Sequence, residues 1–315
     1  MEVTLDDHAV PTFPGPWSRF PAVVGIAPGC DRSLVRRRDA NTGWLLVKHP
    51  NQDHDIQPNH EPDAERIATA HLRQPPAFMI IGTQKGGTTS LHHYLNRHPD
   101  VCMAFKKEVH FFDTFYAKGI DWYRAHFPLL GEVAQTGEAS PSYLFHPKAA
   151  ERAHDAYPQM KLIALLRNPV ERAYSHHQME VRRGNDSLSF EEAIAEEPRR
   201  LHNSDPDMPR GSWRRYSYVS RGLYAQQLER WLKVFPREHL LIIKSEEFSR
   251  EPERIFDHAL RFLGLPSHPL PEYPAHRSGT YVEMQPETRA RLARYYEPYN
   301  RQLYALVGRD FGWDD

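Results

Sequence analysis

The run GTQKGGTTS, Gly82 to Ser90, packs three glycines, one lysine and four hydroxyl side chains into nine residues. Backbone N–H groups beside such glycines converge on an anion, and a helix starting there adds the positive end of its dipole. The chemistry on offer is the binding of a phosphorylated group. Nucleotide-hydrolysing loops run G-x-x-x-x-G-K-[ST], with the lysine directly before the Ser or Thr. Here Gly82 and Gly87 keep the glycine spacing, but Thr88 stands at the lysine position and the lysine is Lys85. A glycine turn with a solvated lysine is the plain alternative. The placing of the run between an apolar stretch and a helical one argues against it.

Two further stretches carry chemistry. In KKEVHFFD, Lys106 to Asp113, an extended chain would put Glu108 and His110 on one face and Val109 and Phe111 on the other. A carboxylate and an imidazole side by side form an acid/base pair; taken alone, the same residues read as a solvated edge. In RNPVERAYSHH, Arg167 ends an apolar run and Ser175 follows eight residues later, about two helical turns on. An arginine fork with a hydroxyl suits a terminal phosphate; a structural ion pair for Arg167 is the competing reading. An ATP site needs Mg²⁺, usually held by an acid at the end of a neighbouring strand. The apolar runs here end in LLRNP and IIKSE, with Arg167 and Lys244 where that acid would stand. A donor with an additional phosphate and no metal fits better than ATP.

The elements that must position these residues alternate. AFMIIG (77–82), KLIALLR (161–167) and HLLIIKS (239–245) are short apolar runs, as buried parallel strands are. Helical patterns follow or precede them: TTSLHHYLNRHP, VERAYSHHQMEVRRG, LYAQQLERWLKVF and PERIFDHALRFLGL, with a last helix over 286–306. The expected architecture is α/β, a mainly parallel central sheet flanked by helices, with ligands at the carboxyl ends of the strands. Gly82, Arg167 and Ser245 fall at those ends. Residues 1–75, rich in Pro, Asp, Asn and His, read as an irregular N-terminal extension, and residues 76–315 as the main domain. The histidines of that extension, His49, His54 and His60, have no cysteine or helical pairing beside them that would support a metal site.

The chain has 315 residues, with 40 basic and 41 acidic side chains, so global charge points to neither nucleic acid nor a membrane surface. Two cysteines, Cys30 and Cys102, make no disulfide framework. The N-terminus has no secretory pattern and no stretch approaches about 20 apolar residues. A soluble cytoplasmic protein is expected.

The loop, the acid segment and the Arg…Ser segment, in this order, resemble the sulfotransferases that use 3′-phosphoadenosine-5′-phosphosulfate (PAPS). The resemblance is closest to the heparan sulfate glucosaminyl 3-O- and N-sulfotransferase group. EVHFFD matches that group's catalytic acid segment nearly letter for letter, and EPYNRQLYALVGRDFGW resembles its last helix and closing tryptophan, here Trp313. The similarity runs from about Pro75 to the C-terminus and implies the P-loop-like sulfotransferase fold. It implies that Thr83, Gln84, Lys85, Gly86, Gly87, Thr88, Thr89 and Ser90 hold the 5′-phosphosulfate, and that Arg167, Ser175 and Arg277 hold the rest of the donor. Lys85 would neutralise charge on the leaving phosphate, Glu108 would take the acceptor's proton, and His110 would assist. Asp113 would lie on the acceptor side, and Arg221 and Tyr224 beside the donor. Apart from the resemblance, PRGSWRRYSYVSRGLY (209–224) is rich in Arg and aromatic residues: it suits a glycan by stacking or an anionic group through Arg214 and Arg215, and a solvated Arg-rich loop is the competing reading. 3′-Phosphoadenosine-5′-phosphate (PAP) would be the product, with no metal required.

The chain also departs from that group. The cysteine pair before its last helix is missing, Gly279 stands where a second basic residue is expected near Arg277, and Ala139 replaces the acceptor-facing lysine. The expected acceptor is a hydroxyl, less readily an amine, of a carbohydrate or glycosylated small molecule. A peptidyl tyrosine or a secondary metabolite is the alternative substrate. A P-loop small-molecule kinase and a non-catalytic nucleotide-binding protein are the competing classes.

Overall fold

The computed structural model describes residues 61–275 and 283–314, together with the backbone of 34–39 and 43–48. Within the stretch expected to be irregular, β1 (Leu34–Asp39) and β2 (Gly43–Lys48) pair antiparallel. A short helix, α1 (Ala64–Ala68), is capped by Asp63, whose carboxylate accepts the N–H of Arg66.

The main sheet has five strands, all parallel, in the order β4-β5-β3-β6-β7. These are β3 (Phe78–Gly82), β4 (Val101–Met103), β5 (Gln135–Ala139), β6 (Lys161–Leu166) and β7 (Leu240–Lys244). The three apolar runs thus form β3, β6 and β7. β4 and β5 were not expected from the sequence: one is three residues long and the other reads QTGEA.

Alternate residues of β3 and β6 divide between the two faces of the sheet, as the strand period of two requires. Met79, Ile81, Leu162, Ala164 and Leu166 pack with Phe111, Phe112, Tyr143 and Trp231. Phe78, Ile80, Ile163 and Leu165 pack on the other side with Leu91, Tyr94, Phe256 and Leu260. The α-helices that follow β3 in the chain are α2 (Thr88–Asn96), α3 (Ile120–Arg124), α4 (Ala149–Ala156), α5 (Pro169–Arg182) and α6 (Phe190–Leu201). They continue with α7 (Ser212–Arg215), α8 (Tyr224–Leu232), α9 (Ser245–Arg250), α10 (Pro252–Leu263) and α11 (Pro286–Val307). Among the described residues, no helix is long and apolar enough to cross a membrane.

From β3 the chain passes to the β4 edge and returns to β5; from β6 it runs outward the other way to β7. The connections leaving β3 and β6 therefore diverge, which opens a crevice between their carboxyl ends. Both stretches expected from the sequence to bind anions start there. One follows Gly82; the other begins at Arg167, where Asn168 caps α5 by accepting the N–H groups of Val170 and Glu171, and Pro169 starts the helix.

Candidate active site

After β3, the Thr83 N–H donates to the Leu165 carbonyl of β6 (2.8 Å) and the Gly86 N–H to the Thr83 carbonyl (2.9 Å). This turn lies so close to β6 that a Cβ on Gly86 would come 2.6 Å from the Leu165 oxygen. Gly87 caps α2 with φ 95°, a left-handed conformation that glycine takes without strain. It offers no side-chain cap to the first turn of this nine-residue helix, the end at which the helix dipole favours an anion. Thr83, Thr88 and Ser90 are buried in the cradle; Gln84, Lys85 and Thr89 are half-buried. The Ser245 hydroxyl donates to the Gly86 carbonyl and fastens the loop to β7's end. Lys85 itself takes φ 74°, a costly conformation for a residue with a Cβ.

Arg167 follows β6 and donates from Nη1 to the Lys85 carbonyl (3.3 Å). Its own carbonyl accepts from the buried Tyr224 hydroxyl (2.7 Å), and Ser175 lies buried on α5. Lys244 does not join them: its ammonium donates to the Phe311 carbonyl of the C-terminal segment, a partner that strand-end position alone could not reveal. Arg277 and Gly279 lie outside the described residues, as do His49, His54 and His60.

The acid segment is not the extended strand expected. His110 takes φ 58°, and a turn over 111–114 follows, so Val109, Phe111 and Phe112 can all be buried in one core. The reversal still brings the chemical groups together. Glu108 Oε2 lies 2.9 Å from His110 Nε2, and Asp113 Oδ2 lies 2.9 Å from His110 Nδ1. Ser142 Oγ is 3.3 Å from the same Nδ1. Arg214, arriving on α7, places Nη2 2.5 Å from His110 Nε2 and 3.9 Å from Glu108 Oε2. Arg215, its neighbour, does not enter this cluster.

Burial works against charge on all three members, yet the partners prevail. Asp113 and Glu108 raise the pKa of His110 above its ordinary value despite burial and the opposing Arg214. Against the same burial, Lys107, His110 and Arg214 hold Glu108 well below the usual carboxylate range. His110 does the same for Asp113. The side chains of His110 and Asp113 are 7% and 4% exposed, whereas that of Glu108 is 27% exposed. Glu108 is therefore the member of the cluster most open to solvent, backed by a buried His–Asp pair.

The two halves share one electrostatic neighbourhood. His92 on α2, the helix that begins at the loop, is fully buried; its pKa is lowered by that burial and by Lys107, with Glu108 opposing. His176 is lowered by burial and by Arg172, Arg221 and Lys85. Arg221 is lowered to about 9 by burial and by Arg172 and Arg214, while Asp113 and Glu108 act the other way. Sequence reasoning missed several supports. Arg152 on α4 donates to the Phe112 (2.9 Å) and Asp113 (3.2 Å) carbonyls and grips both oxygens of Asp207 (2.9 and 3.1 Å). Ser140, Ser142 and Tyr143 also bind the acid segment. The neighbouring SPSY is their only trace in the sequence, and it announces no chemistry.

Residues 75–285 match the family defined by the sulfotransferase domain. The chain is 34% identical to the mouse (Mus musculus) protein named heparan sulfate glucosamine 3-O-sulfotransferase 6, over 77% of this chain and 75% of that one. It is 31% identical to the mouse protein named heparan sulfate glucosamine 3-O-sulfotransferase 3B1, over 98% of this chain and 82% of that one. Among solved structures, a sulfotransferase from Alicyclobacillus acidocaldarius superposes with a TM-score of 0.67 at 34% identity. That likeness covers 77% of this chain and 100% of the other.

Proposed function

The chain belongs to the sulfotransferase domain family and is an enzyme that transfers sulfate; from that premise we propose that it moves a sulfuryl group from PAPS to a hydroxyl on a sugar, with Glu108 as general base. The observation that carries this reading is the Glu108–His110–Asp113 cluster. Its single reachable carboxylate acts electrostatically on His92 of the helix that rises from the loop after β3.

The cradle suits a phosphosulfate. Gly86 lets the turn lie directly against β6, where a methyl group would not fit, and α2 begins with no side-chain cap, the helix end that favours anions. Bound there, the donor supplies an activated sulfuryl group on a good leaving phosphate. Lys85 and the α2 N-terminus place positive charge where the leaving oxygen becomes negative. Arg167 and Ser175 receive the 3′-phosphate, the group that separates this donor from ATP. Glu108, kept ionised, accepts the acceptor's proton, and His110 and Asp113 balance the charge behind it. The relatives' names point to a glucosamine hydroxyl of heparan sulfate. Arg214, half-exposed next to Glu108, adds a cation on the acceptor side.

Calorimetric titration with PAP, and with ATP plus Mg²⁺ alongside, tests the reading. Micromolar PAP binding, no ATP binding, and loss of the PAP signal in Arg167→Ala are expected. ATP binding indifferent to a 3′-phosphate would return the protein to the kinases.

A further inference from the structure

Resting on the reading above, we infer that Glu138 is a positioning residue for the transfer: through the hydroxyls of Ser140 and Tyr143 it holds the backbone of His110–Phe112, and so the Glu108–His110 pair, in its reacting arrangement. Glu138 lies on β5 and is 0% exposed. Its Oε1 accepts from the hydroxyls of Tyr123 (3.0 Å) and Tyr143 (2.9 Å), and its Oε2 from Ser140 (2.7 Å). Two of those hydroxyls also accept. The His110 N–H donates to Ser140 Oγ at 3.1 Å, and the N–H groups of Phe111 and Phe112 donate to Tyr143 Oη at 2.7 and 3.4 Å.

The direction of these bonds follows from the carboxylate. A hydroxyl can donate or accept, but an ionised carboxylate only accepts. Each hydroxyl facing Glu138 must give it a proton, which turns its lone pairs toward the three consecutive backbone N–H groups. The middle of the acid segment is thereby held where His110 takes its left-handed φ of 58°, a conformation that persists only where the surroundings over-determine it. That bend is what aims the imidazole back at Glu108.

A carboxyl group in this core is costly. Burial, opposed by the bonds from Ser140, Tyr143 and Tyr123, pushes its pKa up to about 7. Packing alone would be served by an apolar side chain.

The test reads amide hydrogen exchange at His110, Phe111 and Phe112 at about pH 8, where Glu138 is ionised, in the wild type, Glu138→Gln and Tyr143→Phe. The glutamine brings a donor to the centre and forces one hydroxyl to reverse; the phenylalanine removes the acceptor for two N–H groups. Both variants should exchange these amides at least about tenfold faster, with β3 amides unchanged. Conversion of PAPS to PAP in the presence of a heparan sulfate oligosaccharide should lose at least about tenfold in kcat, with PAP affinity within about twofold. A part played only in packing would not produce that split. Unchanged amides in both variants would overturn the inference, as would faster exchange with kcat intact. A wild type that binds no PAP would instead sink the donor reading, while the amide result would still decide whether Glu138 holds the segment.

Discussion

Arg167 donates from its guanidinium to the backbone carbonyl of Lys85 across 3.3 Å. The bond spans the crevice between the ends of β6 and β3, so the two cations expected at opposite ends of the donor sit in one frame. Bonding the Lys85 carbonyl also supports a residue whose φ of 74° would otherwise be costly.

Arg167→Ala should therefore weaken PAP binding by about 10- to 100-fold, the range for a lost hydrogen bond to a charged group. It should also erase the preference for PAP over adenosine 5′-monophosphate, whereas Lys85→Ala should weaken both ligands alike. Calorimetry with the two nucleotides reads both effects. An Arg167 variant that still prefers PAP would take the 3′-phosphate away from this arginine.

Gly86→Ala tests the cradle itself. The added methyl would fall 2.6 Å from the Leu165 carbonyl oxygen and 3.0 Å from that of Thr83, and backbone atoms cannot move aside as a flexible side chain would. The loop must shift, at a cost of about 1–3 kcal/mol. A lowered melting temperature with PAP affinity reduced more than tenfold is the expected outcome, in the range of about 1.4 kcal/mol per decade. Unaltered binding would mean that the loop does not enclose the donor.

For Glu108, the sequence supplied the residue type and spacing but not the geometry. Glu108→Gln keeps the shape and removes the proposed base, so turnover should fall by about 10²- to 10⁴-fold while PAP binding stays within about threefold. Single-turnover measurement of PAP release separates the two. Equal loss of binding and turnover would make Glu108 a donor contact.

What could be read from the chain, and what could not, divides along physical lines. β3, β6 and β7 were legible because strands buried on both faces are continuous apolar runs. β5 was not. Of QTGEA only Ala139 is apolar; Gly137 leaves room for the Phe78 ring, and Glu138 is buried only because Tyr123, Tyr143 and Ser140 satisfy it. Those partners come together only in the folded protein. The same long-range support defeats strand alternation at His110, whose backbone N–H is held by Ser140, 30 residues along the chain. Arg214 was visible as one arginine in an Arg- and aromatic-rich stretch, but its contact with His110 spans 104 residues. Local pattern reported residue types, and tertiary contacts decided their geometry.

The Asp113–His110 pair makes a prediction about pH. Asp113 has a depressed pKa, so its ionised form stabilises the fold above its ordinary value of 3.8, and that contribution disappears only as the pH falls through the folded value, in strong acid. His110 has a raised pKa, so the contribution of its charge is fully present below its ordinary 6.5 and disappears as the pH rises through the folded value. The ion pair is complete only between those two limits. Asp113→Asn should cost about 1–3 kcal/mol in mildly acidic solution, and the deficit should shrink as alkali removes the imidazole's proton. Urea melts of both proteins at about pH 5, 7 and 9 measure it. A deficit close to zero at all three pH values would mean His110 is neutral throughout. Glu108 would then face an uncharged ring, and Arg214 and Lys107 would be the groups keeping it ionised for the role of base proposed for it.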